Sequence, residues 1–219
     1  MIKLLIFDID GTTVDTDEVL VGVWSELFSL YKPSSFKYDK SLIKTFSGPS
    51  LKDTINKYFS EYDFEFIKNE YNKRSIKYYV DRAKLFPNEI EILEKLKKYF
   101  RFAVFTSKNK ERTMYCLDHL GLKKYFDYVI TSDDVINTKP HNEGLKKILD
   151  HFKVTSEEAL MIGDTRYDYL SAKSINMKCI LINLQNHFIG EDVSKNIIVY
   201  DYLDLYKKVM ELSKENESK

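Results

Sequence analysis

The sequence predicts an α/β protein, a Rossmann-like open parallel sheet carrying an inserted α-helical domain. Three observations lead there. Short, continuously apolar runs recur along the chain, and such runs suit strands buried on both faces. Stretches with a helical apolar stripe separate them, and strands alternating with helices build right-handed βαβ units. One long interval, residues 15–84, holds helical pattern and no convincing strand.

In chain order, the first run spans Ile2 to Ile9, with one acid, Asp8, near its end and a second, Asp10, just after it. Behind it, Val19, Leu20, Val23, Trp24, Leu27, Phe28 and Tyr31 recur at helical spacing. Gly48-Pro49 marks a break between helices, and "FEFIKNEYNKRSIKYYVDRA" reads as a later helix. This interval is too long for a comfortable loop, so residues 15–84 are read as a helical cap inserted after the first strand. Residues 1–14 and 85–219 then form the α/β core. Glu89 to Tyr99 predicts a helix with Ile90, Leu93 and Leu96 on one face. Strands are expected at Phe102–Ser107, Tyr128–Ser132, Ala159–Gly163 and Cys179–Asn183, with a weaker one at Ile197–Tyr200. The polar ending "SKENESK" reads as frayed.

Hydrophobic residues make up 43% of the 219 residues and charged ones 31%, which favours a packed core over disorder. The 34 basic and 34 acidic residues cancel, so no net field attracts nucleic acid or anionic lipid. No stretch approaches the roughly 20 apolar residues that span a bilayer. Asp8 and Asp10 interrupt the first apolar run too early for a signal peptide. Cys116 and Cys179 sit among apolar residues and imply buried thiols, not a disulfide framework. The expectation is a cytoplasmic protein, monomeric or homodimeric, with no nucleic-acid or membrane partner.

Ligands of an open parallel sheet bind just beyond the carboxyl ends of its strands. The first run ends in Asp8, Asp10 and Gly11, the second in Thr106 and Ser107, and the fourth in Gly163-Asp164 with Asp168 four residues on. Lys139 and Pro140 stand just past the third. Acids gathered on one edge repel unless a cation compensates them. A set of oxygen ligands without His or Cys favours Mg²⁺ over Zn²⁺. Mg²⁺ held by few carboxylates takes its remaining ligands from water and phosphate, which points to phosphoryl transfer. Lys139 and Thr106 would then hold phosphate oxygens. One carboxylate can serve as nucleophile and the other as the acid and base.

Each of these residues has a plainer reading. An isolated acid pair more often caps a turn, an isolated lysine is usually solvated, and Thr106 alone is an ordinary strand end. An EF-hand also contains D-x-D-G, but that alignment puts Ile6 at its first ligand position and Asp17 in place of the closing Glu. His119, His141, His151 and His187 share no ligand spacing. The many Tyr and Phe residues of the cap read as packing, not base stacking.

Together the motifs resemble the haloacid dehalogenase-like hydrolases, specifically their phosphoglycolate phosphatase and pyrophosphatase branch. "DIDGTTVD" (Asp8–Asp15), Thr106 of "FTSK", Lys139 of "TKP" and "GDTRYD" with Asp164 and Asp168 occur in the family's order. The resemblance implies Asp8 as nucleophile and Asp10 as general acid and base. It implies Mg²⁺ on Asp8, the Asp10 carbonyl and Asp164, with Asp168 in support. Phosphate would be bound by Thr106, by the backbone at Ser107 and Gly11, and by Lys139. An acid at Asp10 favours phosphate esters over organohalides.

In "FSGPSLKDTI", Gly48 and Lys52 are similar to a cap segment of that branch and are candidate substrate contacts. Asn88 and Asn176 stand where relatives often carry Gly, and Asn tolerates left-handed backbone. The loop "NLQNHFIGEDV" lacks an early Gly. The implied function is hydrolysis of a small phosphate monoester, phosphoglycolate-like or another small metabolite, through an aspartyl-phosphate. A sugar-phosphate mutase resembling β-phosphoglucomutase, or a non-catalytic phosphate-binding module, are the alternatives.

Overall fold

The computed structural model describes residues 1–47, 49–185 and 189–214. It divides into two compact units, one of Met1–Val14 with Leu85–Lys219 and one of Asp15–Lys84.

The first unit is built on a six-stranded, wholly parallel sheet. Its strands are β1 (Leu4–Phe7), β2 (Arg101–Phe105), β3 (Tyr128–Ile130), β4 (Ala159–Gly163), β5 (Lys178–Ile182) and β6 (Ile198–Val199), in the spatial order β3-β2-β1-β4-β5-β6. The central strand β1 pairs with both neighbours, Leu4 opposite Arg101 on one side and Ala159 on the other. All four β1 residues are buried, as a continuous apolar strand between two covered faces requires. On one face Leu4, Ile6, Ala103, Phe105 and Met161 pack into a common core with Leu145 and Ile148. The opposite face carries Phe7, whose ring lies 5.1 Å from Phe102 and 5.9 Å from Phe126.

Among its described residues the second unit holds four helices: α1 (Asp17–Tyr31), α2 (Lys40–Lys44), α3 (Leu51–Tyr58) and α4 (Phe64–Arg82). Side-chain oxygens start three of them. Asp39, Ser50 and Asp63 accept from the N–H groups of Leu42, Asp53 and Phe66. Trp24 is buried at the centre, its ring 5.3 Å from Phe46, 5.9 Å from Phe59 and 5.0 Å from Tyr71. Trp24, Phe28, Phe46, Phe59 and Tyr79 are therefore core, while Tyr38, Tyr62 and Phe66 are exposed. Of the expected α1 stripe, Leu20 and Tyr31 are only half-buried, while Val21 and Gly22 join the buried set. The ends of this unit meet in an antiparallel bridge: Asp15 N–H donates to the Lys84 carbonyl at 2.8 Å, and Lys84 N–H returns to Asp15 at 3.2 Å.

The remaining helices belong to the first unit: α5 (Glu89–Lys97), α6 (Lys110–His119), α7 (Glu143–Phe152), α8 (Arg166–Lys173) and α9 (Tyr202–Lys214). Several boundaries differ from the sequence expectation. Strand β1 stops at Phe7 because the chain folds back at Ile9, whose carbonyl accepts from the N–H groups of Thr12, Thr13 and Val14. The buried face of α5 is Glu89, Ile92, Leu93 and Leu96, and Ile90 is half-buried. Helix α9 runs through Lys214, with Ser213 buried and its hydroxyl on the Val209 carbonyl, so Ser213 and Lys214 are helical where the polar ending suggested fraying. Asn88 and Asn176 do adopt left-handed backbone, at φ 62° and 56°. Gly48, His187 and part of "NLQNHFIGEDV" lie outside the described residues.

Candidate active site

The strand order places a topological switch at β1 and β4. The connections beyond β1 fill the sheet toward β3 first, then cross to β4 and continue toward β6, which leaves a crevice at the carboxyl ends of the two central strands. Asp8 follows β1 directly, and its N–H continues the ladder to the Ile162 carbonyl at 2.9 Å. Asp164 follows β4.

The turn after Asp8 is tight, and its residue types follow from that. Gly11 has φ 77°, and a Cβ there would overlap the Asp164 carboxylate. Thr12 Oγ1 donates to Asp164 Oδ1 at 3.0 Å, and Thr13 Oγ1 donates to the Asp8 carbonyl at 3.1 Å. On the other side, Gly163 lets the Asp168 carboxylate pack where a Cβ would stand. Asp168 is the third residue of α8. Its Oδ2 accepts from the Thr165 N–H at 3.0 Å and from the Thr165 hydroxyl at 2.7 Å.

Lys139 sits in the loop before α7, and its peptide bond to Pro140 is cis. Glu143 in the first turn of α7 holds that loop by accepting from the Ile136 N–H at 3.0 Å and the Asn137 N–H at 2.9 Å. These backbone donors draw the Glu143 carboxyl down to about 2. Lys139 Nζ lies 2.6 Å from Asp168 Oδ1 and 2.9 Å from Asp8 Oδ1. Burial alone would lower its pKa, but the two carboxylates outweigh that and raise it.

Three buried carboxylates, Asp8, Asp164 and Asp168, thus have oxygens within 4.8 Å of one another, faced by Lys139. If all three are ionised, negative charge exceeds positive in a buried place, an arrangement that calls for a cation. Burial, opposed by Lys139, pushes the Asp8 carboxyl up to about 6, and burial with its acidic neighbours raises Asp164 well above the usual range. Both Asp168 oxygens are engaged. Asp164 Oδ2 is buried without a hydrogen-bond partner, and Asp8 Oδ1 takes none of good geometry despite its ion pair with Lys139. The donor set therefore fits a hard divalent cation on Asp8 and Asp164, with Asp168 bracing Lys139.

Thr106 is buried beyond β2, and its N–H donates to the Ile130 carbonyl at 3.1 Å. Ser107 is half-buried beside it. Asp10 stands apart from the carboxylate cluster: its Oδ1 lies 2.6 Å from Lys108 Nζ. Lys52 lies exposed in the first turn of α3 in the helical unit.

The model of the haloacid dehalogenase-like hydrolases matches residues 5–182. The chain belongs to this family. It is 30% identical over 183 residues to pyrophosphatase PpaX of Bacillus cereus, a match covering 83% of each chain. Among solved structures, a predicted phosphoglycolate phosphatase from Haemophilus somnus is similar in fold, with a TM-score of 0.76, 23% identity and coverage of 95% of this chain and 98% of that one. CbbY from Rhodobacter sphaeroides, in complex with phosphate, is also similar, with a TM-score of 0.78, 18% identity and coverage of 94% and 96%. This haloacid dehalogenase-like hydrolase holds further residues that sequence reasoning passed over. Lys108 was visible in "FTSK", yet a lysine three positions past the end of β2 carries no periodic signal. Tyr202, buried at the start of α9, donates to the Thr12 carbonyl at 2.7 Å across 190 residues, a link without any local sequence mark. Among the described residues no helix is long and apolar enough to cross a membrane.

Proposed function

We propose that this hydrolase is a Mg²⁺-dependent phosphatase acting on a small phosphate monoester through an aspartyl-phosphate on Asp8. The observation that carries the reading is that two acids two residues apart occupy different surroundings. Asp8 is buried against Lys139, while the Asp10 side chain is 33% exposed and held by Lys108. Environments that differ in this way separate a nucleophile from a proton carrier.

Asp8 and Asp164, with the Asp10 carbonyl, would hold Mg²⁺, which supplies neutralisation of the phosphate charge. Asp8 attacks phosphorus, forming the P–O bond to its carboxylate as the ester P–O bond breaks. The departing oxygen takes its proton from Asp10. Asp10 then accepts a proton from water as that water attacks the phosphoenzyme, which returns Asp8 and releases phosphate. Lys139, Thr106 and the N–H groups at Ser107 and Gly11 bind the phosphate oxygens, and Lys139 keeps Asp8 ionised for attack.

The test is phosphate release from a panel of small esters and pyrophosphate with Mg²⁺. Wild type should turn over at least one of them, Asp8→Asn should be inert, and a chelator should abolish turnover. Isomerisation of a sugar phosphate without net phosphate release would move the assignment to a mutase. Inertness of folded wild type in both assays would refute catalysis.

A further inference from the structure

We propose that Lys108 is a positioning residue for Asp10, an inference that rests on the phosphatase reading above. The pair is asymmetric. The Lys108 side chain is 2% exposed and the Asp10 side chain 33%, with Nζ and Oδ1 2.6 Å apart. The acid faces outward, where a substrate can reach it, and the lysine lies behind, where a substrate cannot. A close charge-assisted contact on one carboxylate oxygen limits rotation of the whole group.

The lysine is itself anchored at both ends of its peptide. Its N–H donates to Thr106 Oγ1 at 3.3 Å, and its carbonyl accepts from the Ser132 N–H at 3.0 Å. The next residue, Asn109, starts α6 by accepting from the Arg112 N–H at 3.1 Å. The strand ends of β2 and β3 and the start of α6 therefore set where Nζ points. A buried ion pair gives little net stability over an apolar pair of similar volume, so stability alone is a poor reason for a lysine here. Orientation of the proton carrier is a sufficient one, because small displacements of a reacting group cost large factors in rate.

Asp10 is needed to protonate a poor leaving group, and hardly needed when the leaving group departs as a stable anion. The test uses Mg²⁺ and two esters, 2-phosphoglycolate and p-nitrophenyl phosphate, with wild type and Lys108→Met. For 2-phosphoglycolate, kcat should fall by about 100-fold, with KM changed by less than about threefold. Single-turnover release of p-nitrophenolate, with enzyme in excess, should stay within about threefold of wild type. Parallel losses on both esters, or a loss confined to KM, would overturn the proposal in favour of a structural or phosphate-binding lysine.

A double-mutant cycle gives an independent reading. Asp10→Asn with Lys108→Met should be no slower on 2-phosphoglycolate than Asp10→Asn alone, whereas multiplying losses would overturn the assignment. If Lys108→Met does not fold, Lys108→Leu, which likewise lacks a donor, carries the same measurements. If wild type ignores these two esters, the best poor-leaving-group and good-leaving-group substrates of the panel replace them. A wild type inert toward the whole panel would refute the phosphatase reading and this proposal together. An active wild type with parallel losses refutes only the role of Lys108.

Discussion

At Gly11 two requirements coincide, a left-handed backbone and the space filled by the Asp164 carboxylate. Gly11→Ala should therefore displace the turn between Asp8 and Asp10. A shift on the ångström scale costs about 100-fold in rate, so steady-state kcat should fall by about that factor while the fold persists. Glu89 gives a prediction of another kind. It is fully buried on the core side of α5, and burial pushes its carboxyl from 4.5 up to about 8. Between those values the folded protein keeps the proton and the unfolded chain has lost it. The unfolded state binds fewer protons there, so stability falls as pH rises from about 4.5 to 8. Glu89→Gln cannot titrate and should make that slope shallower, leaving the part owed to the raised Asp8 and Asp164 carboxyls, which urea midpoints compared at about pH 5 and pH 8 would show.

Element by element, the site depends on how helices begin. Thr165 and Asp168 cap the first turn of α8, and the same Asp168 holds Lys139 at 2.6 Å. Thr165→Ala should cost about 1 kcal/mol of stability, read as a lower urea midpoint. How much of this was legible follows element boundaries closely. Strands buried on both faces leave unbroken apolar runs, so the sheet and the acids at its rim could be read directly. Asn88 and Asn176 could be read because few residue types accept a positive φ. The face of α5 was misjudged because hydropathy places an acid outward, while Glu89 turns in to accept the Phe86 N–H at 2.9 Å. Lys108 and Tyr202 act across the fold on Asp10 and on the Thr12 carbonyl, and one-dimensional spacing holds no trace of such distances.

Over the whole molecule, each unit carries its own buried core, a sheet-centred one in the first and an aromatic one around Trp24 in the second. Replacing residues 15–84 by a short Gly/Ser linker should leave a first unit that unfolds cooperatively in urea, with circular dichroism showing retained α/β content. A non-cooperative or helix-poor product would show that the sheet depends on the insert. The paired backbone of Asp15 and Lys84 also bears on the order of events when the chain folds. Joining β1 to β2 across the open loop of residues 8–100 would cost about 4 kcal/mol in closure entropy. Helices with mostly local contacts form quickly, and once they have brought Asp15 to Lys84 only residues 8–14 and 85–100, with α5, remain between the two strands. Seventy residues then count, for the nascent sheet, as little more than a hairpin's turn, and mutations that unsettle Trp24 should register as slower pairing of β1 with β2.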